Sequence, residues 1–293
     1  MSIIKRLKKF IFRMKCKLYS KVKPIEMNFK LKYFKNSLMI GKGKEEKVIV
    51  SLTTIPSRIN FIWIVITTLM DQKIKPKKII LWLDTDSFPE NSIPKKLESL
   101  QSLGLDIRFC DNIRSHKKYY YTLKEFPNDI IVTVDDDICY PRNFLKKLVE
   151  LNIKYPKDIL CYRAHEMLFD KNSQILPYNS WNSESPGITG SSFHLVPTGV
   201  SGVLYPPKSL APEVLNKEAL LKLAPFCDDI WLKVMGIKQG TKVRKVFKYS
   251  KHFPIINETQ KETLSTINVY KNNNDIELER LINKYDLNLA KLK

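Results

Sequence analysis

Two groups of adjacent carboxylates are the residues of this chain best suited to chemistry. Asp135, Asp136 and Asp137 stand together in "NDIIVTVDDDICYPRN" (128–143), and Asp228 and Asp229 in "LAPFCDDIWLKVMGIKQG" (223–240). The first group follows the apolar run 130–134 directly. Like charges side by side repel, and the end of a buried strand solvates three of them poorly. A hard divalent cation resolves the conflict: it takes oxygen ligands, commonly keeps phosphate oxygens among them, and turns the repulsion into affinity. Acids just before a helix also favour its dipole, which accounts for one aspartate more readily than three. The same alternative, N-terminal helix acids acting as caps, stands beside any catalytic role for Asp228 and Asp229.

These groups need a frame, and the pattern from residue 47 onward supplies one. A short β-branched apolar run at 47–54 reads as a buried strand, and 77–84, 105–110 and 129–134 read as three more strands. Between and after them, 58–72, 93–104 (stopped by Gly104), 115–126 (capped by Ser115) and 142–155 read as helices. Strand–helix alternation of this kind gives an α/β fold with a mostly parallel sheet covered on both faces. Ligands of such sheets bind outside the carboxyl ends of the strands. Thr53, Thr54 and Arg58 lie past the first strand, Asp84 and Asp86 past the second, and the three aspartates past the fourth.

Composition narrows the class. In 293 residues, 43% hydrophobic and 27% charged content describe a folded protein with a substantial core. Five widely spaced cysteines without a CxxC pair argue against a disulfide framework or a zinc cluster and fit a reducing cytosol. The net charge of +20 is uneven: residues 1–47 carry 15 Lys/Arg against 3 Asp/Glu, a net of +12, leaving +8 for the rest. In "MSIIKRLKKFIFRMKCKLYSKVKP", Ile3, Ile4, Leu7, Phe10, Ile11, Met14 and Leu18 recur at helical spacing among the basic residues. The stretch lacks the unbroken run of about 20 apolar residues that a spanning helix needs, and no signal-cleavage pattern follows. It reads as a basic amphipathic segment (1–24) lying on the cytoplasmic membrane surface, where each basic residue contributes on the order of 1 kcal/mol. The alternative is a helix packed on its own domain.

With "SLTTIPSRI", "SHKKYYYTLKEFPNDIIVTVDDDICYP", "TGVSGVLYPP" and "APFCDDIWL" in place, the chain from 47 to about 250 resembles the nucleotide-sugar-dependent glycosyltransferases of the GT-A fold. It is most similar to the bacterial family-2-like enzymes that build surface polysaccharides. The resemblance implies a GT-A domain over 45–255 and an accessory segment over 256–293. It also implies Mn²⁺ or Mg²⁺ on Asp135 and Asp137, a UDP- or GDP-type donor, and a saccharide or lipid-linked acceptor. Asp136 would reach ribose or sugar hydroxyls. Asp229 would be the general base that deprotonates the attacking hydroxyl, with Asp228 as its neighbour. Inversion is favoured, although retaining relatives carry an acid nearby. His252 would complete the metal coordination, Lys117 and Lys118 would neutralise the diphosphate, and Thr53, Arg58 and Asp84 would line the nucleotide side. Each has a plainer alternative as a helix start, surface or turn residue.

The stretch 178–207, rich in Gly, Ser, Asn and Pro, reads as an acceptor-side flap followed by a return to the sheet. Gly199 and Gly202 would let the backbone approach substrate; Trp181 is either a platform for a sugar face or a core residue. Near the carboxyl end, Asp275 caps a helix that carries Ile276, Leu278, Leu281, Ile282 and Leu287 on one face. Two other classes compete. A nucleotidyltransferase or sugar-phosphate transferase would use the same metal, but "SLTTIPSRI" has no glycine for a phosphate loop. A non-enzymatic basic module accounts only for the first 47 residues, and acids would repel a nucleic-acid backbone.

Overall fold

The computed structural model describes residues 3–41, 46–89, 93–260 and 272–292. Residues 90–92 of the acidic turn and 266–271 of the polar tract near the carboxyl end lie outside that set. In chain order the helices are α1 (Ile3–Tyr33), α2 (Lys35–Leu38), α3 (Ile62–Met70), α4 (Lys95–Gln101), α5 (Lys117–Glu125), α6 (Phe144–Lys154), α7 (Lys217–Leu223), α8 (Asp228–Lys238) and α9 (Asn273–Tyr285). The strands are β1 (Glu46–Thr53), β2 (Pro76–Asp84), β3 (Leu105–Cys110), β4 (Ile130–Thr133), β5 (Ile159–Cys161), β6 (Ala164–Glu166), β7 (Leu195–Pro197), β8 (Val203–Tyr205) and β9 (Val243–Lys245).

Seven strands form one sheet in the order β3-β2-β1-β4-β8-β5-β9, and β6 pairs with β7 in a small second sheet. β1, β2, β3 and β4 are parallel. β8 alone in the large sheet runs against its neighbours, between β4 and β5. Successive residues of a strand point to opposite faces, and both faces here are covered. Val48, Val50, Leu52, Ile79, Leu81 and Val132 pack with α3 and α6 on one side. Ile49, Ile80, Trp82 and Ile131 meet Tyr121 and Leu123 of α5 on the other. Burial on both faces explains why these strands read as continuous apolar runs rather than alternating ones.

Several boundaries differ from the sequence reading. The helix expected over 58–72 begins as a 3-10 turn, Pro56–Arg58, and becomes α-helical only at Ile62. Ser115 does not cap α5: it lies inside a 3-10 turn, Arg114–His116, and the capping position falls to His116 without a side-chain bond. The amino-terminal helix does not stop at 24 but continues through Pro24 to Tyr33. An internal proline removes one helical hydrogen bond, and here the following turns are held by buried Met27 and by Lys30 paired with Asp71. α9 docks on the domain, with Leu278 and Leu281 in the core formed with α8. Its Asp275 accepts the Tyr178 N–H at 2.6 Å instead of capping α9.

Candidate active site

The strand order reverses between β1 and β4, the two parallel strands whose connections run out in opposite directions, and a crevice at such a point is where open α/β sheets bind ligands. Ser51 pairs with Thr133 in that register, so three residues further on Thr54 comes beside Asp136. Thr54 Oγ1 donates to Asp136 Oδ2 at 2.6 Å, and Arg58 donates to Asp136 Oδ1 at 2.6 Å. Asp136 is thereby turned inward and buried, which leaves it no free edge for ribose or sugar hydroxyls. Its neighbours alternate to the open side. Asp135 keeps 28% of its side-chain surface and Asp137 keeps 15%, with Arg58 3.4 Å from Asp137. Burial, then the charges of Asp135 and Asp136, push the Asp137 carboxyl up to about 6.

Lys118 joins the two acidic groups. Its Nζ lies 2.7 Å from Asp228 Oδ2 and 3.3 Å from Asp135 Oδ1. It comes from the first turn of α5, and Asp228 and Asp229 occupy the first turn of α8, where the helix dipole also favours them. Burial works against ionising Asp228, but Lys118 and His116 outweigh it and hold that carboxyl below its usual range. Burial and the charge of Asp228 raise Asp229 well above that range. The Gly199 N–H donates to both Asp229 oxygens, at 3.1 and 3.0 Å. A Cβ at Gly199 would stand 2.9 Å from Lys118 Nζ, 3.2 Å from Asp229 Oδ1 and 3.5 Å from Asp135 Oδ1. Asp135, Lys118, Gly199, Asp228 and Asp229 therefore surround one point. A raised carboxyl beside a fixed donor suits proton uptake near neutrality.

Other expected site residues are engaged elsewhere. Asp84 and Lys117 are both buried and pair with each other, and Ser87 N–H closes on Asp84 at 2.9 Å. Their charges are mutually neutralised, so neither faces a nucleotide or a diphosphate. Thr53 ends β1 and donates to the Trp82 carbonyl at 2.8 Å. His252 does not join the aspartates. Its Nε2 sits 2.9 Å from Glu184 Oε1 and its ring meets Phe12 edge-on. Trp181 is 5% exposed with its indole N–H on the Leu176 carbonyl, the core alternative rather than the sugar platform. Gly202 has φ +83°, and a Cβ there would come within 2.5 Å of the Phe144 ring, so its role is a turn packed on Phe144 rather than an approach to acceptor.

Five supporting contacts were not legible in the sequence. Gln260 donates to Asp137 Oδ2 at 2.9 Å, and the Ile256 N–H reaches the Asp137 carbonyl at 2.8 Å, so the 254–260 segment straps the aspartates from beyond the expected domain boundary. Tyr140 OH accepts the Asp135 N–H at 2.9 Å. Buried Glu277 of α9 accepts the N–H groups of Phe226 and Cys227 at 3.1 and 2.8 Å, fixing the corner that leads into Asp228. Apolar spacing marked the helix of α9, and spacing does not say where on the domain it docks.

Among the described residues no three His, Cys, Asp or Glu side chains converge as a ready cation cage. Asp135 and Asp137 are nevertheless hard oxygen donors on the open side, and Mg²⁺-type ions are commonly held by one or two carboxylates with substrate phosphates completing the shell. The donor set fits such an ion and does not include His252.

No protein-family model matches this chain, and no curated protein matches it in sequence. Among solved structures it is similar to the mannosyltransferase PcManGT from Pyrobaculum calidifontis in complex with GDP-Man and Mn²⁺, at 11% identity and a TM-score of 0.48, covering 94% of this chain and 75% of that one. It is similar to S. aureus TarS 1-349 at 18% identity and a TM-score of 0.42, covering 70% of this chain but spanning only 58% of that one. A 4-diphosphocytidyl-2C-methyl-D-erythritol synthase is similar at 11% identity and a TM-score of 0.41, with 75% of this chain and 94% of that one covered. The bearing of these likenesses stops at the frame of sheet and helices.

Proposed function

We propose that the chain is a metal-dependent glycosyltransferase that moves a sugar from a UDP- or GDP-type donor to a saccharide or lipid-linked acceptor in surface-glycan synthesis. The observation that carries this reading is the meeting of Asp135 with Asp228 and Asp229 around Lys118, at the switch point of the sheet. Asp229, held by the Gly199 N–H, takes the proton of the acceptor hydroxyl as its oxygen bonds to the anomeric carbon. The bond from that carbon to the donor phosphate oxygen breaks, and its electron pair leaves with the nucleoside diphosphate. One displacement of this kind inverts the anomeric centre. Asp135 and Asp137 would hold the cation, which when bound offsets the charge developing on the diphosphate. Lys118 keeps Asp228 ionised and oriented beside the base.

Purified chain incubated with single nucleotide sugars, acceptor saccharides and Mn²⁺, Mg²⁺ or EDTA should release nucleoside diphosphate from one donor in a metal-dependent way. Asp137→Ala should abolish the release. Asp229→Asn should lower transfer by about 10²- to 10⁴-fold while calorimetry still records nucleotide binding. Absence of UDP and GDP binding with Mn²⁺ would sink the reading, and pyrophosphate release from a nucleoside triphosphate and a sugar phosphate would replace it with nucleotidyl transfer.

A further inference from the structure

α1 has two unlike sides. Toward the domain, Cys16, Ser20 and Met27 are buried. Ser20 Oγ donates to the Ile255 carbonyl at 3.3 Å and accepts the Asn257 N–H at 2.8 Å, and Phe12 lies 5.7 Å from the His252 ring. Toward solvent, Phe10, Met14, Leu18, Val22, Ile25 and Phe29 form a row in which every side chain is at least 50% exposed. Steps of three and four residues keep them on one face, and at about 1.5 Å per residue the row is roughly 30 Å long. Isolated exposed apolar residues are ordinary; a continuous row is not.

The charges beside the row point to what covers it. Arg13, Lys15, Lys17, Lys21 and Lys32 are exposed. The single acid of α1, Glu26, is already paired with Lys23 and Lys30. A second copy of this chain would bring one cationic row against another, whereas an anionic lipid surface satisfies both the apolar row and the flanking charge. Among the described residues no helix is long and apolar enough to cross a membrane, so the contact is in the plane.

We propose that α1 lies in the plane of an anionic lipid bilayer with the Phe10–Phe29 row in the acyl region, and that it sets the candidate active site at the bilayer rim. The coupling is mechanical. Phe12 and Ser20 hold the 252–257 segment, and the same segment binds the Asp137 carbonyl through the Ile256 N–H at 2.8 Å. An acceptor held at a lipid surface would meet the site without the protein leaving the membrane. The docking itself does not depend on the sugar-transfer reading, and either can fail alone.

The full chain should float with vesicles of phosphatidylcholine and phosphatidylglycerol and remain behind with phosphatidylcholine alone. Leu18→Asp with Ile25→Asp should weaken the partitioning by more than about tenfold, through lost insertion and added like charge. Ile153→Asp, at an equally exposed apolar position on α6, should leave it unchanged. Because the native Trp63, Trp82, Trp181 and Trp231 are all buried, a Leu18→Trp variant adds a reporter on the row itself. Brominated lipid should quench it and should not quench Ile153→Trp. Four results would each overturn the proposal: no flotation of the unmodified chain, equal flotation on neutral vesicles, flotation insensitive to the double substitution, or a concentration-dependent dimer that the double substitution dissolves without any vesicle binding.

Discussion

Replacing Lys118 by Met removes the cation that stands between the two acidic groups while keeping the length of the side chain. Lys118 Nζ is 2.7 Å from Asp228 Oδ2, which at an effective dielectric of about 20 is a gross attraction of roughly 6 kcal/mol. Desolvation of both ions offsets much of that, so the quantity to expect is the effect of orphaning a buried carboxylate, about 3–5 kcal/mol at neutral pH. Asp135, with more exposure, adds little because solvent screens it. The pH dependence follows from the two shifts. Burial opposes ionisation of Asp228, but Lys118 and His116 hold its carboxyl down, so its contribution is present above the unfolded value of about 3.9 and fades as pH falls through the folded one. Burial likewise opposes the charge on Lys118, but Asp135, Asp228 and Asp229 hold it up. Its contribution is present below about 10.4 and fades only as pH rises through the folded value. The pair therefore stabilises across the neutral range. In Lys118→Met the aspartates lose their counter-ion and take up protons well above the ordinary carboxylate range, so at pH 4.5 the deficit should shrink to roughly 1 kcal/mol. Urea denaturation of both proteins at pH 7.5 and 4.5 measures it. A deficit under about 1 kcal/mol at pH 7.5, or the same deficit at both pH values, would refute the claim that Lys118 neutralises buried charge.

Asp229→Asn should lower transfer by about 10²- to 10⁴-fold without loss of stability. Its carboxyl is raised by burial and by Asp228, so its ionised form destabilises the fold above the unfolded pKa, and thermal melting at pH 8 should show the variant equal or higher. For the same reason the transfer rate proposed for the unmodified chain should keep climbing toward neutrality; a plateau already reached by pH 5 would contradict Asp229 as base. Gly199→Ala places a methyl group among Lys118, Asp229 and Asp135 at 2.9 to 3.5 Å, and a displacement of several tenths of an ångström there should lower kcat by about ten- to a hundredfold with the melting temperature nearly unchanged. Glu277→Ala leaves the N–H groups of half-buried Phe226 and buried Cys227 without that acceptor and should destabilise by about 2–4 kcal/mol in urea, whereas Glu277→Gln should recover part of it.

The frame was legible because its physics is local. The strand 105–110 falls where Leu105, Ile107 and Phe109 alternate with polar residues between Gly104 and the polar turn after Cys110, and the three aspartates sit at a strand end because an apolar run stops there. The short strands β5 and β9 were not legible individually, and β8 was legible only as a return to the sheet within 178–207. Three residues cannot display a period, and the reversed direction of β8 is set by its neighbours β4 and β5 rather than by its own sequence. Side-chain partnerships were the least legible. Lys117 and Lys118 are adjacent and alike in sequence, yet one closes on Asp84 and the other on Asp228 and Asp135. Which lysine meets which acid depends on how α5 crosses the ends of β2 and β4.

That difference bears on how the site works. A lysine sealed against Asp84 holds α5 to the end of β2 and leaves the next residue fixed in position. Lys118 is then presented to the acids that follow β4 and open α8 from a helix tethered at Lys117. Gly199 sits opposite, where a Cβ would crowd Lys118 Nζ and Asp229 Oδ1 at 2.9 and 3.2 Å, and its N–H orients Asp229. α9 holds the other end of the arrangement through Glu277, and the 254–260 segment holds Asp137. On the proposed reading, the groups that would react are each positioned by a neighbour that would not, which is what preorganisation of a catalytic site requires. It follows that substitutions at Lys117 or Glu277 should change kcat through geometry, leaving the pH dependence of the rate in place, whereas substitutions at Lys118 or Asp228 should move it.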